Sequence, residues 1–419
     1  MNPRQRRGIL YVVIASSVVG GFATGERVLF YPAYLLLTVL LVAFVWAQVA
    51  IRWIYVQRHT ESFYPQVGGV LEEYFTLTNR SYVPKLWLEV HDGSTLLGHR
   101  VGVVIPALLP GQLYQWQVRT PYLARGEFAL GPLTIVSGDP FGLFKLSYVL
   151  PEMRQVIVYP ATVSIPRSQT LAGAILGGVL QRQRSVDVTL NVSGVRDYVI
   201  GDNPATMDWR ATARYRQPMV KEYDTELQGD VWVFADFSAQ SLVDAPTVRR
   251  SETGVIIQPL YENPPPSTEE YTAVIAASLA KHFLALGRPV GFSAHLPAAA
   301  VYRPDRSKHQ LTRVLDALGR ARSVSVVSLD QMLTQHSGSI PRGRTLVVIT
   351  STLETGWIAH AQQLGRRGIR MSCVYIDPQT FANYAPSDGV KQALHAAKIP
   401  TVVVRCGDNL AAVLSQNPR

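Results

Sequence analysis

A chain of 419 residues is too long for one compact domain and suggests two or three. Its 47% hydrophobic content excludes a disordered chain, and its two cysteines, Cys373 and Cys406, sit in apolar surroundings far from any Cys-x-x-Cys pair, which reads as reduced, buried, structural thiols. The formal net charge of +10 fits nucleic acid, an anionic membrane surface or plain solubility, and the N-terminus decides for the membrane.

From Gly8 to Ala23 the chain is apolar without a charge, and from Tyr31 to Ile51 it is apolar again over a full bilayer span of about 20 residues. Two transmembrane helices are expected, with a cleaved signal peptide the alternative for the first. Arg4, Arg6 and Arg7 precede the first helix and Arg52 and Arg58 follow the second, so the positive-inside rule puts both ends in the cytoplasm. Trp46, Trp53, Tyr31, Tyr34 and Tyr55 lie where interfacial anchors would. Leu171 to Leu180 is too short to cross again. The expectation is a multi-pass inner (cytoplasmic) membrane protein, anchored over 1–56, with its soluble domains facing the cytoplasm.

Over 57–166 the pattern changes to short alternating runs separated by turn residues such as Pro84, Asp92-Gly93 and Pro110-Gly111, which predicts an antiparallel β-sandwich. Phe75, Leu77, Leu86, Leu88 and Val90 are the expected core. Phe141, Leu143 and Phe144 in the run from Gly138 to Leu146 are expected to plug one end of it. A connector over 167–193 follows, with small residues and then the polar run QRQRS. From 194 to 419 near-continuous apolar strands alternate with helices, which predicts a doubly wound α/β domain with a parallel sheet covered on both faces. Ligands bind such sheets outside the carboxyl ends of the strands, here Asp236, Ser238, Ser351, Thr352 and Asp377.

The segment from Gly194 to Glu226 opens that domain and carries the densest polar chemistry. Arg196, Asp197, Tyr198, Asp202, Asp208, Trp209 and Arg214 are its candidate partner-binding residues. Asp197, Asp202 and Asp208 alternate with Arg196, Arg210 and Arg214, which predicts mutual pairing, and Asp208 is placed to cap a short helix carrying Trp209. No histidine lies between Asn191 and Glu226, so no nucleophile and base are paired there and no catalytic residue is assigned. The basic residues from Arg182 to Lys221 are interleaved with acids and lack the stacking platforms of a single-strand binder, so no nucleic acid is expected.

Arg125 to Pro132 (RGEFALGP), Asp139 to Phe144 (DPFGLF) and the Gly194 to Arg214 pattern, together with the paired N-terminal spans, resemble the bacterial family called domain of unknown function 58. The resemblance implies a membrane protein with a von Willebrand factor A-like domain that partners a MoxR-type AAA ATPase. Such domains bind Mg²⁺ or Ca²⁺ through Asp-x-Ser-x-Ser, and this chain offers Asp236 and Ser238 but Gln240 in the third place. Ile349 to Thr352 has no aspartate where the resemblance expects one, and Ser307 is the nearest second-loop candidate. One carboxylate among neutral hydroxyls is a poor divalent site, so no cofactor is expected and Asp236 reads as structural, with Mg²⁺ or Ca²⁺ at Asp236 and Ser238 the alternative. The expected function is a non-catalytic adaptor coupling such an ATPase to client proteins in assembly or chaperone-like maturation. A metal-dependent adhesion module and a hydrolase of envelope precursors are the alternatives.

Overall fold

Two uncharged apolar stretches with no periodic polar face have one stable backbone in lipid, the helix. They form α1 (Pro3–Thr24) and α2 (Phe30–Ile51), joined by a single tight turn over Arg27–Leu29. The computed structural model describes residues 3–61, 65–165, 192–199, 202, 204–223, 229–250, 264–295, 299–382 and 385–415. The connector over 167–193, with Leu171 to Leu180, falls outside the described residues except for its last two, and the loop from 240 to 268 is described only on either side of 251–263. Both helices are long and apolar enough to cross a membrane. Tyr11, Val12, Phe22, Leu35 and Leu41 are each more than half exposed, unlike the residues of a helix packed in a soluble core.

The chain divides into two compact units. The first holds Met1–Ala161, Asp244–Ala277 and Leu315–Arg322, and the second Thr162–Val243, Ser278–Val314 and Ser323–Arg419. In the first unit, β1 (Ile54–Glu61), β2 (Val70–Asn79) and β5 (Leu113–Pro121) form one antiparallel sheet. A second antiparallel sheet runs in the order β4 (Val103–Leu108), β3 (Lys85–Asp92), β7 (Leu133–Gly138), β8 (Lys145–Leu150). The short strands β6 (Gly126–Leu130) and β9 (Arg154–Val158) pair separately.

Phe75, Leu77, Leu88, Val90, Ile105 and Ile135 form the core. Leu86, expected among them, is exposed instead, because Trp87 takes a left-handed backbone (φ 56) that breaks the alternation. Leu86 and Trp87 both turn outward, and Lys85 is buried with its ammonium donating to the carbonyl of Val49 near the end of α2. The run at Gly138 to Leu146 is not a plug of the sandwich. Leu143 is buried with Leu40 and Ala43, and Phe144 packs against the same cluster beside Leu10 and Ile14, so the turn seats on the helix pair.

Two polar clusters hold this unit together. Glu73 lies on the same inward face of β2 as Leu71, Phe75 and Leu77, fully buried. Arg58 grips it bidentately at 2.8 and 2.9 Å, and His99 Nε2 lies 3.1 Å from Glu73 Oε2 and 3.0 Å from Asp92 Oδ2. In the second cluster the buried Arg125 donates to Glu270 (2.8 Å), Glu269 (2.7 Å) and the carbonyls of Leu318 (2.6 Å) and Ala321 (2.8 Å). Its guanidinium thereby ties three distant stretches of chain at one point.

In the second unit, β10 (Val192–Asp197) and β11 (Met219–Tyr223) make an antiparallel pair with α3 (Trp209–Tyr215) between them in sequence. A six-stranded sheet follows in the order β14 (Ala299–Asp305), β13 (Val290–His295), β12 (Val231–Ala235), β15 (Thr345–Thr350), β16 (Arg370–Ile376), β17 (Thr401–Val404). All neighbours are parallel except β14, an antiparallel edge strand. Every residue of β12, β13 and β15 is buried, so both faces of the sheet's centre are covered. After α4 (Thr268–Ala285) and α5 (Lys308–Arg320) come α6 (Leu329–His336), α7 (Gly356–Arg366) and α8 (Asp388–Ala396), and on one face of the sheet Trp232, Phe234, Val348 and Tyr375 pack with these last three through Leu333, Trp357 and Leu394. Cys373 is buried in that core, and burial pushes its thiol up. Cys406 is only partly buried, because it follows β17 in a loop rather than lying on a strand.

Candidate functional site

The β10–β11 module is held by local contacts that its sequence dictates. Arg196 forks onto Asp202 with two bonds of 2.8 Å, and Asp202 also accepts from the Val199 amide at 3.0 Å. Asp208 takes an extended backbone and caps α3, accepting from the amides of Arg210 (3.0 Å) and Ala211 (3.1 Å). Asp197 pairs with Gln217 at 2.9 Å rather than with an arginine. Among the described residues no carboxylate pairs with Arg210 or Arg214. The Arg196–Asp202 pair therefore closes the module on itself.

What this frame presents is aromatic and basic, with Arg210, Arg214 and Arg216 exposed beside the rings. No residue of α3 is buried, and Trp209 is 71% and Tyr215 57% exposed, with Val199 at 61%. Tyr198 lies half-buried, its amide donating to Pro218 O at 2.9 Å. Tyr215 and Val199 escaped the sequence reading; the available signal was a tyrosine between Arg214 and Arg216 on a helix too short to have a buried stripe.

The second candidate is the rim at the carboxyl end of the sheet. Asp236 follows β12, 4% exposed, with Oδ1 accepting from the Ser238 amide (2.9 Å) and Oδ2 from the Thr350 hydroxyl (2.6 Å). Burial pushes its carboxyl up, which favours the neutral form. Ser238 O accepts from Ser241 Oγ at 2.8 Å, and Ser351 donates to the carbonyl of Ser241. Thr352 donates its amide to Thr350 Oγ1 at 3.1 Å. Asp377 is drawn into a separate contact with Lys391 (2.6 Å) and Ser387 (2.7 Å); burial pushes its carboxyl up, but these partners outweigh it and hold it low. Ser307 bonds Asp305 at 2.6 Å on the exposed stretch after β14. The structure thus brings Asp236, Ser238, Thr350 and Ser351 together and leaves Ser307 and Asp377 in other contacts.

Two histidine contacts lie elsewhere in this unit. His295 Nε2 sits 2.8 Å from His336 Nε2, and burial lowers both imidazoles, so one neutral ring donates to the other. His360 pairs with Asp330 between α7 and α6. Among the described residues no group of three or more His, Cys, Asp or Glu is placed to hold a metal ion.

Residues 194–258 match the family model described as protein of unknown function DUF58, a stretch that spans the β10–β11 module, β12 and Asp236. The match supports that family. No curated protein matches the chain. Among solved structures, a Northeast Structural Genomics Consortium target, SoR45, is similar at 15% identity over 27% of this chain and 92% of its own, with a TM-score of 0.17. A beta-glucosidase from Listeria innocua in complex with glucose is similar at 12% identity over 25% of this chain and 16% of its own, with a TM-score of 0.15. Likenesses this slight carry no argument about fold or activity.

Proposed function

We propose that this protein is a membrane-anchored, non-catalytic adaptor whose β10–β11 module docks a MoxR-type AAA ATPase and couples it to client proteins. The two N-terminal helices span the inner membrane with both ends cytoplasmic, and the soluble units face the cytoplasm. The α/β unit is read as von Willebrand factor A-like: counted from β12, its strands run 3-2-1-4-5-6, and Asp236 and Ser238 end the first strand at the point where that order reverses. Both oxygens of Asp236 are already engaged, which favours a structural carboxylate over a cation ligand.

One observation carries the adaptor reading. A short helix without a buried residue displays Trp209 and Tyr215 on a frame locked by the Arg196–Asp202 fork and the Asp208 cap. Exposed aromatics held rigidly lose little entropy when a partner covers them, which is the economy of an interface hot spot. The test is co-purification of the full chain with a MoxR-type AAA ATPase. Trp209→Ala is expected to weaken capture by tenfold or more, at about 1.4 kcal/mol per tenfold. Arg196→Ala is expected to weaken it less, by loosening the frame. Undiminished capture by variants with wild-type melting temperatures would exclude this surface.

A further inference from the structure

The turn Asp139–Phe144 closes its own backbone. Asp139 accepts from the amides of Phe141 (2.9 Å, at Oδ2) and Phe144 (at Oδ1), its carbonyl accepts from Gly142 (3.1 Å), and its amide donates to Phe144 O (3.2 Å). Phe141 O accepts from Arg6 at 3.4 Å. Gly142 has a left-handed backbone (φ 67), which favours glycine there, and a Cβ would come within 2.7 Å of Arg6 Nη1, a flexible side-chain end that could swing aside. Every other residue from Pro140 to Phe144 is apolar. The amides of Phe141, Gly142 and Phe144 are satisfied within the turn, so this irregular backbone suits the membrane interface, where water and headgroups reach its remaining polar groups.

Its position on the helix pair sets its depth. The Phe144 ring lies 5.6 Å from that of Phe44 on α2, and the Arg7 guanidinium of α1 lies 5.0 Å over it, so Arg7 and Phe44 are level. From Arg27 to Phe44 a helix rises about 26 Å, close to the ~30 Å hydrocarbon core. A membrane crossed by α2 would therefore end at Arg7, Phe44 and Trp46, with the turn lying on that boundary. At its tip Phe141 is 53% exposed, and Arg4 and Arg6 are exposed beside the same boundary.

We propose that this turn is a membrane wedge, with Phe141 entering the headgroup boundary of the leaflet and Arg4 and Arg6 meeting the phosphates of anionic lipid. The inference rests on reading α1 and α2 as membrane spans. A lipid surface is the occupant because the apolar tip is continuous with the helix pair and its flanks are cationic.

The test uses the full chain carrying Cys406→Ser, with single cysteines introduced as Phe141→Cys, Leu41→Cys or Val70→Cys and labelled with an environment-sensitive fluorophore. Each is reconstituted in phosphatidylethanolamine/phosphatidylglycerol vesicles with and without nitroxide-labelled lipid. Leu41 is midway along α2, and Val70 begins β2 at the opposite end of the strand from Asn79. The wedge predicts several-fold more lipid quenching at positions 141 and 41 than at 70. Quenching at 41 with none at 141 overturns the wedge and leaves the spans standing. No quenching at 41 overturns the spans and the wedge with them.

Discussion

Arg125 shows what one side chain can be asked to hold. The residue is 1% exposed and its guanidinium meets two carboxylates and two carbonyls, so its fork is filled in directions that the single point of a lysine ammonium could not match. Burial pushes the Glu270 carboxyl up even with Arg125 beside it, so removing the arginine would strip Glu270 of its bonded counter-charge and leave Glu269 with Arg250 at 3.3 Å. Arg125→Ala is expected to destabilise by about 3–5 kcal/mol, and Arg125→Lys to recover only part of it. Chemical denaturation of the full chain in detergent checks both; a lysine variant as stable as wild type would show that charge alone suffices. Arg125 stands out in the sequence as the first residue of a motif, but its role does not, because Glu269, Glu270 and the carbonyls of Leu318 and Ala321 are more than 140 residues away.

At the scale of elements, Arg58 on β1, Glu73 on β2, and Asp92 and His99 at the end of and beyond β3 form a charge cluster inside the sandwich. Burial pushes Glu73 and Asp92 up, but His99, Arg58 and neighbouring hydroxyls outweigh it and hold both carboxyls below their ordinary values. Burial pushes His99 down, and Asp92 and Glu73 outweigh it and hold the imidazolium above its ordinary value. The carboxylates therefore contribute stability above unfolded values of 4.5 and 3.8 that is lost as pH falls. His99 contributes stability that is whole below 6.5 and lost as pH rises through its raised folded value. The melting-temperature difference between wild type and His99→Asn should be largest between pH 4.5 and 6.5 and shrink on the alkaline side. A difference that stays level from about pH 5 to about pH 9 would mean that the fold does not raise His99 above its ordinary value.

That cluster had a sequence signal: Glu73 interrupts the inward series of Leu71, Phe75 and Leu77, and a charge at core parity implies a partner. Local chemistry was readable in the same way. The Asp208 cap and the Arg196–Asp202 pair lie within a few residues, so turn and capping rules reach them. Strands β1, β4, β8 and β14 were not readable, since they are short or lie outside the clearest alternating runs. The outward turn of Leu86 was not readable either, because nothing in the residue types requires a left-handed tryptophan at 87. At the candidate site, the spacing of Asp236 and Ser238 was visible, while the closure of Asp236 by Thr350 depends on the pairing of β12 with β15 across 114 residues.

At the scale of the molecule, α2 is long and apolar enough to cross a membrane and is also part of the packing of the first unit. Uncharged residues run to Ile51, apolar but for Thr38 and Gln48, so hydropathy cannot distinguish lipid-facing turns from those packed on protein, yet α2 packs along β7 and β8 and Lys85 reaches the carbonyl of Val49. Leu40, Ala43, Ala47 and Ala50 form its buried stripe, and three alanines there let the helix approach the strands closely. A larger side chain has no room on that stripe. Ala47→Leu is therefore expected to destabilise the first unit by about 1–3 kcal/mol through overpacking. If α2 and the sandwich are one rigid body, the variant should also expose Arg52, at their junction, to faster trypsin cleavage in detergent. The same substitution at the exposed Val45 should change neither stability nor cleavage. Equal behaviour of the Ala47→Leu and Val45→Leu chains would mean that α2 ends as a tether, with the sandwich free to pivot on it.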